Sequence, residues 1–158
     1  MRGARLTVAA ADPFGRAALD LIAEAAAEAR LRYPEFFVAG APAPTNAPIV
    51  PRASFVLAHL GDAVVGRGAL RPLDATTAEI KRMFVRRAAR RQGVARAIVD
   101  HLVSEAGRFG YQRVRLETGN RQPEAIALYA ACGFARIAAF GPYVDDPTSV
   151  CFERGLKG

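Results

Sequence analysis

Lys81-Arg82-Met83-Phe84-Val85-Arg86-Arg87-Ala88-Ala89-Arg90-Arg91-Gln92-Gly93-Val94-Ala95-Arg96 decides how the rest of the chain reads. The stretch holds seven basic residues, one glycine and no acid, at the point where a strand pattern gives way to a helix pattern. The chain has 22 Lys and Arg against 15 Asp and Glu, so the formal net charge of +7 equals the charge of this window alone. A focused excess of this kind predicts a particular anionic partner held at a particular place. A helix N-terminus leaves backbone N–H groups unpaired and carries partial positive charge, and a glycine there lets a phosphate approach the chain. The turn Gln92–Ala95 can grip an anion such as a diphosphate; the alternative reading is a plain turn glycine among solvated arginines. It is neither the three-glycine dinucleotide fingerprint nor a P-loop, because no further glycines and no Gly-Lys-Ser/Thr accompany Gly93.

Downstream of the window, Ala95, Ile98, Val99, Leu102, Val103 and Ala106 recur at helical spacing, and Gly110 is placed to stop that helix. Tyr111 to Thr118 alternates as a half-buried strand. Strand, helix and strand in that order predict a parallel crossover. A short helix from Pro123 to Cys132 ends at Gly133, and Phe134 to Ala138 and Ser149 to Glu153 read as closing strands around the turn-rich FGPYVDDP. Upstream, Ser54 to Leu60 and Ala63 to Leu70 flank Gly61-Asp62, a two-residue hairpin signal, and Thr77 to Val85 adds a third antiparallel strand. Leu6 to Ala10 reads as a strand, and Asp12-Pro13 predicts a helix start with Asp12 as N-cap and Pro13 in the first turn. That helix carries Ala18, Leu21, Ile22, Ala25 and Ala29 on one stripe and ends near Tyr33-Pro34. Val38 to Arg52 has four prolines and no periodicity, which predicts a surface loop able to shape a substrate site. The fold class is α+β: a mixed, mostly antiparallel central sheet flanked by helices, with a parallel strand-helix-strand core.

With 158 residues, 51% hydrophobic, the chain is expected to form a single domain over residues 1–158 with a sizeable core. No stretch is apolar for the length a bilayer requires, and the start MRGARLTVAAADPFG lacks the strong apolar segment of a secretory signal, so a cytoplasmic address and no membrane partner are expected. Cys132 and Cys151 are too few for a disulfide scaffold and lack metal-ligand spacing, which predicts two reduced, buried thiols and no metal.

Arg90-x-x-Gly93-x-Ala95 resembles the acetyl-coenzyme A motif, Gln/Arg-x-x-Gly-x-Gly/Ala, of the GNAT superfamily of N-acetyltransferases. Gln122-Pro123-Glu124-Ala125-Ile126-Ala127-Leu128-Tyr129, followed by Gly133-Phe134, is similar to that family's second signature, Asn-x-x-Ala-x-x-Leu-Tyr with Gly-Phe after it. The order and spacing of the two match the family, and the resemblance spans about residues 54 to 138. One departure is Gln122 where asparagine is usual.

The resemblance implies an enzyme that moves an acetyl group from acetyl-coenzyme A, its cosubstrate, to a primary amine by direct attack. Coenzyme A carries about four negative charges, which an arginine-rich turn suits. Gln92, Gly93, Val94 and Ala95 would hold the diphosphate through backbone N–H groups, with Arg87, Arg90, Arg91 and Arg96 near the phosphates and Ala125 and Tyr129 on the second helix. The backbone of Met83, Phe84 and Val85 would pair with the pantetheine arm, the Phe84 N–H polarising the thioester carbonyl. Tyr129 would serve as general acid for the departing thiolate, and Glu79 or Glu117 as the base that frees the amine lone pair. His59 and His101 fit that role less well, and Cys132 has no obvious base for an acyl-enzyme. Tyr33, Phe37 and Tyr143 are candidates for the acceptor pocket, together with the loop from Pro42 to Pro51.

The acceptor is expected to be a small-molecule or peptide amine, and the protein a monomer or homodimer. Two noncatalytic readings compete: an acetyl-coenzyme A sensor and a basic nucleic-acid-binding module. Against nucleic acid, the charge is confined to one turn without a series of aromatics for stacking.

Overall fold

A computed structural model of the protein describes residues 3–37 and 45–157. Seven strands form one sheet: β1 (Leu6–Ala10), β2 (Ser54–Leu60), β3 (Ala63–Pro72), β4 (Thr77–Val85), β5 (Arg113–Gly119), β6 (Ala135–Ile137) and β7 (Ser149–Gly155). Three helices accompany them: α1 (Arg16–Arg32), α2 (Val94–Arg108) and α3 (Pro123–Ala131). The strand order is β1-β2-β3-β4-β5-β7-β6, and only β4 and β5 run parallel. The predicted mixed sheet with one parallel crossover is the observed fold. β6 is shorter than the alternation suggests, β7 runs two residues further, and β7 lies between β5 and β6.

Alternation along β2 assigns the two layers. Phe55 and Leu57 pack with Ala18 and Leu21 of α1. Val56 and Ala58 join the larger core with Ile98, Val99 and Leu102 of α2. Successive strand residues face opposite sides, so α1 covers one face and α2 with α3 the other. β3 lets α2 come close by having no side chain at Gly68, where a Cβ would lie 2.6 Å from Ile98. Both later helices stop as expected: Gly110 and Gly133 adopt φ of +84° and +86°, and Tyr111 and Phe134 N–H donate back to the Ala106 and Tyr129 carbonyls.

The start of α1 differs from expectation. Asp12 Oδ1 accepts the Phe14 N–H at 2.9 Å and the Asp12 carbonyl accepts Gly15 N–H, so Asp12-Pro13 builds a separate turn. Gly15 is the residue that precedes the first helical turn. Of the proline-rich loop, residues 38–44 lie outside the described part of the chain, and with them Pro42 to Pro44 of the proposed acceptor loop. Among the described residues no helix is long and apolar enough to cross a membrane.

Candidate active site

β4 and β5 pair only from Thr77 to Ile80 against Arg113 to Leu116. Beyond that point β4 continues to Val85 and β5 to Gly119 without pairing with each other, so the sheet forks at the C-terminal ends of its two parallel strands. The chain leaves β4 through a short turn at Arg87–Ala89 and enters α2 at Gly93, whose φ is +79°. Among the described residues no side chain caps α2, and a Cβ built on Gly93 would meet nothing within 4 Å. The turn at Gly93 is thus an open helix N-terminus beside the fork.

Folding divides the basic window. Arg90 donates through Nη1 and Nη2 to the two Glu28 oxygens of α1, and its Nε reaches the Val85 carbonyl at 2.9 Å. These contacts hold the Glu28 carboxyl below its usual pKa, the Arg90 hydrogen bond being the main cause. Arg86 is likewise tied to Glu24 and to the Val64 carbonyl. Arg87 and Arg91 are exposed, and Arg96 lies 4.0 Å from Asp100 on the surface of α2. Lys81 and Arg82 lie elsewhere, in a cleft on the α1 side of the sheet. The charge that is contiguous in sequence therefore serves three places.

Register sorts the backbone of β4. The β3–β4 ladder shifts between Arg67 and Ala69, where Arg82 adopts φ +63° as a bulge. Arg86 N–H donates to Val65 O at 2.8 Å, and bonded and unbonded pairs alternate in an antiparallel ladder. The Phe84 N–H consequently turns toward Arg67 on β3. The same alternation turns those of Met83 and Val85 the other way, toward the fork.

The two candidate carboxylates come together on the sheet face opposite α2. Glu79, buried, accepts the Tyr143 hydroxyl at 2.7 Å. Glu117, half-buried two residues beyond the partner of Glu79, accepts the Ser149 hydroxyl at 2.6 Å. Burial raises the Glu117 pKa, and the charges of Asp146 and Glu79 push the same way against the Ser149 hydrogen bond and Lys81. Burial likewise raises the Tyr143 phenol, reinforced by its bond to Glu79. Tyr129 is 4% exposed, between Phe134 and Phe152, and burial lifts its phenol well above the ordinary value. Glu117 is among the charges acting on it, so Tyr129 looks onto the fork from the α3 side. Ala125 is partly buried on the same helix.

Tyr33 and Phe37 are not brought to this cluster. The Tyr33 hydroxyl accepts the Arg121 N–H at 3.0 Å, under the Arg121 guanidinium, and Gly119 is free of a side chain where a Cβ would overlap that hydroxyl. Phe37 lies beneath the Arg30 guanidinium at the surface. Tyr33 therefore pins the end of α1 to the β5–α3 turn, as an aromatic that ends a helix over a bare glycine can. His101 approaches Glu105 along α2, and His59 sits in β2. Cys132 and Cys151 are buried and unbridged.

Several contributors carry no local signature in the sequence. Ser149 and Asn46 are found only through the folded contacts, and so is the cleft that Asn46 lines together with Ser54, Arg71, Glu79, Lys81 and Arg82 among others. Among the described residues no group of three or more His, Cys, Asp or Glu is placed to hold a metal.

Residues 23–134 match the model of the acetyltransferase (GNAT) family. An uncharacterised N-acetyltransferase of Bacillus subtilis, YsnE, is 38% identical over 108 residues, covering 67% of this chain and 72% of that protein. A solved Klebsiella pneumoniae protein described as an acyl-CoA N-acyltransferase superposes with a TM-score of 0.79 at 26% identity, over 96% of this chain and 98% of its own. A GNAT family acetyltransferase of Elizabethkingia anophelis, solved with acetyl-CoA bound, shares the fold with a TM-score of 0.68 at 17% identity, over 96% and 98%.

Proposed function

The chain belongs to the acetyltransferase (GNAT) family, and we propose that it transfers an acetyl group from acetyl-coenzyme A to a primary amine by direct attack. The observation that carries this reading is the coincidence of the β4–β5 fork with the uncapped, glycine-led N-terminus of α2. A diphosphate fits there because the first N–H groups of α2 lack intrahelical partners and nothing occupies the space over Gly93. Arg87, Arg91 and Arg96 supply positive charge at that end. Arg90 has its guanidinium engaged by Glu28 and Val85, so its role is to fix the turn.

The fork leaves the Met83 and Val85 N–H groups free on one edge of β4, where an extended arm can pair with them. Bound acetyl-coenzyme A supplies an acyl carbon activated as a thioester. In this reading the Met83 N–H polarises its carbonyl. On the opposite side Glu117, its pKa raised by burial, takes the proton that an attacking ammonium must lose. Glu79, oriented by Tyr143, lines the cleft through which the amine arrives. Tyr129 keeps its proton at neutral pH and donates it to the departing sulfur, an exchange suited to a phenol whose ionised form is penalised by burial.

Calorimetric titration with acetyl-coenzyme A, followed by a thiol-release screen over amine classes, tests the proposal. The expected result is saturable binding together with release that depends on an amine. Binding without release for any amine supports a sensor, and no binding removes the proposal altogether.

A further inference from the structure

Next to the cleft on the α1 side is a charge that the described structure does not pair. Arg67 is 7% exposed, and its Nε and Nη1 are buried without a hydrogen-bond partner. It stands on β3 two residues from Ala69 and four from Arg71, on the same face, and both of these line the cleft. Burial and the neighbouring charge of Arg82, another lining residue, push its pKa down to about 10. A guanidinium remains charged there at neutral pH, and a buried cation without a counter-ion is costly to the fold. Asn46 presents the opposite deficit: its Nδ2 donates to the Pro13 carbonyl at 2.7 Å, leaving Oδ1 buried with no donor. Because Pro13 O can only accept, this orientation of the amide is fixed.

Arg71, Lys81 and Arg82 thus line an opening whose one lining carboxylate is Glu79, already hydrogen-bonded by Tyr143, and Arg67 is buried beside it on the strand face that Ala69 and Arg71 share. Such a field repels polycationic amines and favours an acceptor with its own negative group. We propose that the acceptor is an amine carrying a carboxylate, in the manner of an amino acid, and that Arg67 pairs with that carboxylate. The planar fork of a guanidinium matches two carboxylate oxygens, and the pairing would satisfy its orphaned nitrogens. This inference rests on reading the cleft as the acceptor side of an acetyltransferase.

The test compares glutamate, methionine and phenylalanine with their α-carboxamides, with the corresponding amines lacking the carboxyl group, and with aminoalkylphosphonates. Wild-type kcat/KM is expected to favour the carboxylates over their carboxamides by on the order of a hundredfold. Arg67→Met should erase that preference, leave carboxamide rates within about threefold, and raise the melting temperature, because an apolar chain replaces an unpaired buried cation. A structural arginine would instead lower the melting temperature and depress all substrates alike. Independently of turnover, glutarate and 3-phenylpropionate should raise the melting temperature of the wild type and not of Arg67→Met.

Equal use of carboxylates and carboxamides overturns the inference, as does a preference for phosphonates. If the panel yields no turnover, the melting shifts with the two acids decide, and their absence in the wild type overturns it. Should Arg67→Met not fold, the substrate pairs and acid shifts on the wild type still decide. A protein that binds acetyl-coenzyme A but ignores carboxylates loses only this inference, whereas one that binds no acetyl-coenzyme A loses the transferase reading as well.

Discussion

The α2 end of the fork and the cleft on its other side, which the proposed reaction would use together, are built in different ways. At the α2 end everything needed comes from a dozen consecutive residues: the fork edge of β4, the turn, Gly93 and the first amides of the helix. The cleft takes Asn46 from a loop, Arg71 from β3 and Glu79 and Lys81 from β4, while Tyr143 from a turn holds Glu79, and Ser149 from β7 holds the neighbouring Glu117 of β5. A backbone device can be specified by local sequence, since a glycine at positive φ and a helix start suffice. A side-chain device needs the sheet register to exist first. The first kind tolerates substitution of its side chains and fails when the main chain changes; the second behaves in the opposite way.

The sharpest expected contrast is at Glu117. Glu117→Gln should lower kcat/KM by about a thousandfold at neutral pH while leaving acetyl-coenzyme A affinity within about twofold. A base must be unprotonated, so wild-type kcat/KM should fall as pH drops through a value above the ordinary carboxylate pKa of 4.5, and that limb should vanish in the variant. Retention of the limb in Glu117→Gln, with its loss in Glu79→Gln, would transfer the role to Glu79.

Gly93→Val strikes the main chain on the α2 side. A β-branched residue at φ +79° costs about 1–3 kcal/mol and shields the helix amides, so affinity for acetyl-coenzyme A should fall about a hundredfold in calorimetry. Carboxylate-dependent melting shifts should survive. Simultaneous loss of both would show that the two sides are not independently built.

The smallest effects separate neighbours in the basic window. Arg91→Met should weaken acetyl-coenzyme A binding by about threefold, less at high salt, without altering the melting temperature. Arg90→Met should cost about 1–2 kcal/mol in denaturant unfolding, because Glu28 and the Val85 carbonyl lose their partner. The Glu28 contribution has a defined pH range: its folded pKa is lowered, so the stabilisation is present above the unfolded value and disappears as pH falls through the folded one. Arg90→Met should flatten that acid limb. Equal effects of the two substitutions would erase the distinction drawn between them.

This difference in construction also explains what the sequence could reveal. Gly61-Asp62, the alternation of β5 and the stops at Gly110 and Gly133 all express local backbone preferences, and each lies where the residues predict. The Asp12-Pro13 signal misleads because an aspartate before proline can close a turn as well as cap a helix, and only the packing of α1 chooses. Tyr129, Glu79 and Glu117 are visible as residue types, but their hydroxyl partners and burial arise from strands brought together across dozens of residues. Charge is the most deceptive signal. The window of +7 looks like one patch, yet Glu24 and Glu28, some sixty residues earlier, hydrogen-bond two of its arginines, and Glu28 lies 3.9 Å from a third, Arg87.

The pinning of Tyr33 over Gly119 has a practical corollary. The chain is anchored there by Arg121, and again by Asn46 on Pro13 and by the Thr45 carbonyl under Arg82. Each attachment is consequently a separate handle on the scaffold: changing Tyr33 should loosen the end of α1, and changing Asn46 should loosen the turn at Pro13, with the α2 end of the fork left alone.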